Sequence, residues 1–272
     1  MRYTKMHGAG NSFVLIEDPR GELRGEDLSV LALRLCSPET GPGADGMIVV
    51  TPPRGDEDVG MLFYNSDGST GEMCGNGARC LARFGLEHGL VHDAGCIRIL
   101  APAGEVRARR LTDELYELRL NDPSVIDLRR EAAGERCAYV ELGEPGIPHA
   151  VVEVDEEAFS DLDALRERGR RLRFDPAFPR GANVSFVCPL EKGRVRAITY
   201  ERGVEDFTLA CGTGCGAIAV CLLLADENAL NALTIEMPGG TLSVCLKKEG
   251  GRAFDLLLTG PTAVVEEGEF SL

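Results

Sequence analysis

This chain of 272 residues has no long apolar run and is short of basic residues relative to acidic ones. Its longest apolar run, CGAIAVCLLLA from Cys215 to Ala225, covers 11 residues. A membrane span needs roughly 20, so no transmembrane anchor is expected. Lys and Arg number 29 against 44 Asp and Glu, a formal net charge of −15. Binding nucleic acid or an anionic membrane surface requires clustered basic residues, so neither is an expected partner. The N-terminal MRYTKMHGAGNSFVLIED has no apolar h-region and no small-residue cleavage site, and no secretory signal is read there. Ten cysteines fall well short of the density of a small secreted disulfide scaffold. These absences predict a cytoplasmic protein whose cysteines are mostly reduced, so that any special cysteine is a nucleophile, base or ligand. Low-complexity segments and Pro/Ser linkers are also missing. What is present, 44% hydrophobic and 27% charged residues, is the composition of a soluble globular protein able to bury a full core.

A long-period repeat organises the chain. Gly10-Asn11-Ser12-Phe13-Val14-Leu15 is followed by Gly43-Ala44-Asp45-Gly46-Met47-Ile48-Val49-Val50, then by Met73-Cys74-Gly75-Asn76-Gly77. The same order returns as Gly146-Ile147-Pro148-His149-Ala150-Val151-Val152, Gly181-Ala182-Asn183-Val184-Ser185-Phe186-Val187 and Ala210-Cys211-Gly212-Thr213-Gly214. The intervals are 33 and 31 residues in the first copy, 35 and 30 in the second. Tyr64-Asn65 lies ten residues before Cys74, and Tyr200-Glu201 eleven before Cys211. Any one glycine-rich pair recurs by chance; three ordered pairs with matching intervals indicate duplication.

Each Gly-containing turn opens into a β-branched or aromatic run (FVLI, MIVV, HAVV, VSFV) that reads as a strand. Each Cys-Gly-x-Gly leads into a helix, roughly Asn76 to His88 and Thr213 to Ala225. The first carries Ala78, Leu81 and Phe84 at helical spacing, and the second is apolar all round, as a helix buried inside its domain would be. CIRIL, EVRARRL, ELYELRL and TLSVCLKK have the alternation of antiparallel strands. The expected fold is therefore α+β, with two pseudo-symmetric lobes. Each lobe is a curved, mostly antiparallel, barrel-like sheet around a central helix. The lobes span 1–116, carrying Cys74, and 117–262, carrying Cys211.

A cysteine at a helix N-terminus sits where unpaired N–H groups and the positive end of the dipole favour a thiolate. The following glycines let a ligand approach the backbone closely. Two such turns on pseudo-symmetric halves can grip one carboxylate and place a thiol on either face of the carbon attached to it. That is the arrangement for removing a proton from one face of an α-carbon and returning one to the other. The developing charge would be stabilised by the two helix N-termini, with one sulfur as thiolate and the other as thiol. His149 and Glu201, at matching landmarks, are the groups available to tune the sulfurs.

Plainer readings compete at each residue. A cytoplasmic cysteine is ordinarily a small buried hydrophobe, and Cys36, Cys96, Cys137, Cys188, Cys221 and Cys245 are read so, as are Cys80 and Cys215 in the first helical turns. Taken singly, His149 reads as a core histidine and Glu201-Arg202 as a surface ion pair. The run from Glu156 to Arg173 reads as a solvated amphipathic helix. A different class of function, Cys74, Cys80, Cys211 and Cys215 holding zinc, has ligand spacings outside the commonest ones.

At these residues the chain closely resembles the diaminopimelate epimerase family of cofactor-independent amino-acid epimerases. The resemblance runs nearly end to end, through KMHGAGNSF, GADG, YNSDGSTGEMCGNGARC, PHAVV, YERG, TLACGTG, MPGGTLSV and LTGP. It implies that Cys74 and Cys211 are the acid/base thiols and that His149 and Glu201 adjust them. Gly75, Asn76, Gly212 and Thr213 would offer backbone N–H groups to the reacting carboxylate. Asn11, Asn65, Asn183, Glu201 and Arg202 would hold the amino acid, including its distal end. It further implies a tail, 263–272, returning to the first lobe, and neither pyridoxal phosphate nor a metal. The expected partners are a small amino-acid substrate and a second copy in a homodimer.

Four positions depart from the family pattern. Ile147 stands where the family usually has an Asn that helps bind the distal end of diaminopimelate, and Ile cannot form a hydrogen bond through its side chain. Ser12 replaces Asp or Asn, Ala182 replaces Thr, and Glu266 replaces an aromatic implicated in dimer contact. The expected activity is isomerisation of LL- to meso-diaminopimelate in lysine and peptidoglycan-precursor synthesis, with racemisation of another polar amino acid such as histidine as the alternative.

Overall fold

The computed structural model describes residues 1–21, 23, 25–71, 73–226 and 230–271. Glu72, within the first cysteine motif, and Leu272, at the end of the expected tail, lie outside the described residues. The chain divides into two compact units, Met1–Leu118 with Thr259–Leu272, and Arg119–Leu258.

The first unit begins with β1 (Arg2–Gly8), β2 (Asn11–Glu17), α1 (Gly25–Cys36), β3 (Gly46–Thr51), β4 (Val59–Asn65) and the two-residue β5 (Thr70–Gly71). It continues through α2 (Gly75–Glu87), β6 (Ile97–Ala101), β7 (Gly104–Arg110) and β8 (Leu115–Arg119). Two pairs, β2–β3 and β4–β6, are parallel. A parallel pair needs a crossover connection, and α1 and α2 supply the two. The remaining ladders, β1–β2, β3–β4, β4–β5, β6–β7 and β7–β8, are antiparallel.

The second unit repeats this plan. It holds β9 (Pro123–Ala132), β10 (Glu135–Leu142), β11 (Ile147–Glu153), α3 (Leu162–Arg173), β12 (Asn183–Glu191), β13 (Arg194–Tyr200) and β14 (Phe207–Thr208). After these come α4 (Gly212–Ala225), β15 (Ala232–Met237), β16 (Gly240–Glu249) and β17 (Arg252–Pro261), with β18 (Ala263–Glu269) closing the chain. Here β11–β12 and β13–β15 are the parallel pairs, bridged by α3 and α4. Added antiparallel strands complete the match: β18 lies on β1 and β9 on β10. Within the first unit, Glu266 of β18 accepts a hydrogen bond from the Tyr3 hydroxyl at 3.0 Å.

The fold is thus α+β with mostly antiparallel strands, as expected, but among the described residues no closed barrel forms, which corrects the barrel-like detail of that expectation. A second correction concerns 156–173. This run is a 3-10 turn (Glu156–Ser160) followed by α3, interrupted where the Asp161 carboxylate caps α3 by accepting from the Ala164 N–H at 3.0 Å. Only Leu165, Gly169 and Leu172 of α3 are buried.

Strand alternation sends odd and even residues to opposite sheet faces. In the first unit Phe13, Leu15, Ile48, Met61 and Phe63 share a core with Ala78, Leu81 and Phe84 of α2. Val14, Ile16, Met47, Val49 and Tyr64 pack with Leu28, Leu31 and Leu35 of α1. In the second unit Ala150, Val152, Val184, Phe186, Ile198 and Tyr200 meet Leu165 and Leu172 of α3. The opposite parity, which includes His149, Asn183, Thr199 and Glu201, therefore faces α4. The apolar α4 buries Ile218, Val220 and Leu223, each contributing about 1.5–3 kcal/mol by leaving water. Among the described residues no helix is long and apolar enough to cross a membrane.

Candidate active site

Both repeat cysteines are N-cap residues. Cys74 has extended φ/ψ of −138° and 110°, and its Sγ accepts from the Gly77 N–H at 3.5 Å. Cys211 has −116° and 107°, and its Sγ accepts from the Gly214 N–H at 3.4 Å. Sulfur thus takes the place that a Ser or Asp oxygen usually holds at a helix start. Gly75-Asn76 and Gly212-Thr213 form the first helical turns, whose N–H groups have no intrahelical acceptor to reach. The third residue of each turn has to be small. A Cβ on Gly77 would lie 2.8 Å from Ile48 Cδ1, and one on Gly214 would lie 3.1 Å from Thr199 Oγ1 and 3.2 Å from Cys211 Sγ.

Around Cys74, parity brings Asn11 of β2 and Asn65 of β4 to the α2 face. Asn76 Nδ2 donates to Asn11 Oδ1 at 2.8 Å, and Asn76 Oδ1 accepts from Arg79 Nη2 at 2.8 Å. Arg79 is fully buried. The close approach depends on Gly8, which faces Asn11 across the β1–β2 ladder. A Cβ there would sit 2.9 Å from the Asn76 carbonyl oxygen. Asn65 Nδ2 donates to Ser69 Oγ at 2.9 Å. Sequence reasoning passed over Arg79 and Gly8; an arginine inside the apolar stripe of α2 was the available signal.

In the second unit Glu201 and Thr213 act on Cys211 directly, and strand parity turns His149 and Asn183 to the α4 face. His149 and Asn183 are opposite in the parallel β11–β12 ladder. Asn183 is buried and fixed at both ends of its amide. Its Nδ2 donates to the Pro148 carbonyl at 3.2 Å, and its Oδ1 accepts from the Arg202 N–H at 2.8 Å. His149 is fully buried, and neither ring nitrogen has a hydrogen-bond partner among the described residues. Burial, reinforced by the Arg202 charge, pulls its pKa down to about 3, so the ring is neutral.

Glu201 does not form the surface ion pair with Arg202 that the sequence alone allows. Its Oε1 accepts from the Thr208 hydroxyl at 2.5 Å, and Arg202 Nη1 donates to the Arg180 carbonyl at 3.3 Å. Burial raises the Glu201 pKa, while hydrogen bonds from Thr208 and Cys211 oppose the rise. The Cys211 thiol is pushed well above its ordinary value by burial and then by the Glu201 charge, with the Gly214 N–H and Thr213 hydroxyl pulling the other way. Thr208 is a further residue that sequence reasoning missed.

Ile147 opens β11 opposite Leu142, the position Asn11 holds opposite Gly8 in the first unit. The Asn11–Asn76 hydrogen bond therefore has no counterpart at Ile147. Cys36, Cys80, Cys137, Cys188, Cys215 and Cys221 are buried, but Cys96 and Cys245 are exposed and are not the core residues expected. Among the described residues no group of three or more His, Cys, Asp or Glu is placed to hold a metal.

Comparison with known proteins agrees with this plan. The family model described as diaminopimelate epimerase matches residues 3–117 and 143–265. A diaminopimelate epimerase of Aquifex aeolicus (strain VF5) is 36% identical over 289 residues, covering 100% of this chain and 98% of its own. One of Hydrogenobaculum sp. (strain Y04AAS1) is 34% identical, covering 100% and 99%. Among solved structures, a phenazine biosynthesis protein of the PhzF family from Bacillus anthracis shares the fold with a TM-score of 0.77. It is 14% identical, with 100% of this chain and 99% of that chain covered.

Proposed function

Since the chain belongs to the diaminopimelate epimerase family and is an isomerase, we propose that it interconverts LL- and meso-diaminopimelate in the cytoplasm by a two-base route. The observation that carries this reading is the pair of N-cap thiols at matching positions of two matching units. One sulfur, as thiolate, takes the α-proton. The electron pair left on the α-carbon delocalises into the adjoining carboxylate, whose charge the first-turn donors of Gly75, Asn76, Gly212 and Thr213 stabilise. The other sulfur, as thiol, delivers its proton to the opposite face. Each turnover inverts the carbon and leaves the two sulfurs with exchanged protonation, so the reverse reaction uses the same groups.

In this reading the raised Cys211 holds the proton in the resting protein, with Glu201 as its hydrogen-bond acceptor, and His149 adjusts the thiol pair. Asn11, Asn65, Asn183, Glu201 and Arg202 hold the substrate. The proton transfers require neither pyridoxal phosphate nor a metal. Ile147 supports a second reading, a racemase of another polar amino acid. Losing the usual Asn contact costs about 0.5–1.5 kcal/mol of binding to the distal end.

The test is hydrogen–deuterium exchange at the α-carbon in D2O, run on LL-diaminopimelate beside L-histidine, L-lysine, L-glutamate and L-proline. Exchange confined to diaminopimelate supports the first reading, and exchange in another amino acid alone supports the second. Cys74→Ala and Cys211→Ala should each lower isomerisation by at least about a hundredfold. Substantial turnover by either variant would overturn the two-thiol mechanism.

A further inference from the structure

The two units differ where a carboxylate meets the second thiol. In the first unit β4 and β5 set Phe63 opposite Gly71, and Asn65 follows Tyr64. A Cβ on Gly71 would lie 2.3 Å from Phe63 Cδ1, so the large ring excludes any side chain there. In the second unit the equivalent ladder sets Thr199 opposite Thr208, and Glu201 follows Tyr200. The small Thr199, tied to Ser185 Oγ at 2.9 Å, leaves room on the α4 face. Thr208 fills that room and reaches Glu201. Three exchanges, Phe63 for Thr199, Gly71 for Thr208 and Asn65 for Glu201, thus act together to place a hydroxyl against a buried carboxylate.

We propose that Thr208 is a positioning residue, its hydroxyl holding Glu201 in the ionised form and in the orientation that accepts from the Cys211 thiol. The assignment rests on the proposed function in taking Glu201 and Cys211 as parts of the reacting site. Thr208 suits this role because its single hydroxyl proton can be donated at the same time to no other acceptor. A hydrogen bond to the charged form of an acid favours that form. Among the described residues no cation acts on Glu201 in place of Thr208. The Arg202 guanidinium turns to the Arg180 carbonyl, Glu205 pairs with Arg173, and Asp206 pairs with Arg166. His149 is neutral, and besides burial and Thr208 the group acting on Glu201 is the Cys211 thiol. With Thr208 removed, burial acts on Glu201 with only the thiol opposing it.

The test compares Thr208→Val, which keeps the shape and removes the hydroxyl, with Thr208→Ser, which restores it. In α-proton exchange, Thr208→Val should lose about tenfold in kcat at neutral pH with KM nearly unchanged. Its acid limb should move up by about one pH unit, and Thr208→Ser should lie within about twofold of the parent. A substrate-free arm follows Glu201 by NMR of carboxyl-labelled glutamate, assigned with Glu201→Gln, and its titration should rise in Thr208→Val. An unmoved Glu201 titration, or a loss of rate that Ser does not restore, overturns the role of Thr208. A parent protein that exchanges no amino acid while Glu201 still responds to Thr208→Val overturns the proposed function and leaves the Thr208–Glu201 coupling standing.

Discussion

Several side chains in this protein are set by the environment they are buried in more than by their own chemistry. His149 is the sharpest case. The unfolded chain takes a proton on this ring near pH 6.5, whereas the folded protein resists until about 3. Between those values the unfolded state holds more protons, so stability falls as pH drops through that window and is regained above it. The repeat places Phe13 where the second unit has His149. His149→Phe should therefore fold and should flatten the difference in urea midpoint between pH 7 and pH 4.5. A difference as large as the parent's would show that the acid sensitivity arises elsewhere. Arg79 illustrates the reverse dependence. A guanidinium stays charged when buried; its place within the apolar stripe of α2 was visible in the sequence, but its bond to Asn76 Oδ1 is set by the fold.

Among the elements, the helices divide into two that carry the thiols and two that cover the opposite faces. Periodicity located α2 and α4 to within a residue, because a Cys-Gly-x-Gly turn followed by 3.6-residue spacing has few other solutions. It joined the 3-10 turn and α3 into one helix, because the break depends on Asp161 satisfying the first-turn donors and not on any loss of amphipathic spacing. Asp161→Ala should cost about 1 kcal/mol in urea unfolding, as N-cap losses do. It should leave isomerisation unchanged, since α3 packs on the sheet face away from α4. The two parallel pairs in each unit were likewise not legible, because alternation along a strand is the same for either direction of its neighbour.

For the molecule as a whole, the net charge of −15 opposes compaction through self-repulsion. Surface ion pairs relieve little of this. Arg2–Glu269, for instance, has side chains 90% and 75% exposed, and such pairs contribute at most about 1 kcal/mol. Raising the salt from about 0.01 M to about 0.1 M shortens the screening length from about 30 Å to about 10 Å. The melting temperature should rise across that range, as scanning calorimetry would read. A fall would mean that the ion pairs outweigh the repulsion.

Local chain geometry was written in the residues: helix starts at the Cys-Gly-x-Gly turns, strands at the β-branched runs, and a duplication in three pairs of matched intervals. Each depends on neighbours within a few positions, or on an order that survives folding unchanged. The polar contacts around the two thiols needed the folded chain. Asn11 reaches Asn76 because Gly8 leaves space across a ladder, and Glu201 meets Thr208 because Thr199 is small where Phe63 is large. Such contacts join residues brought together by strand register and sheet face. A period of two says which residues share a face, but the partner each one meets there is set by how the strands and helices pack.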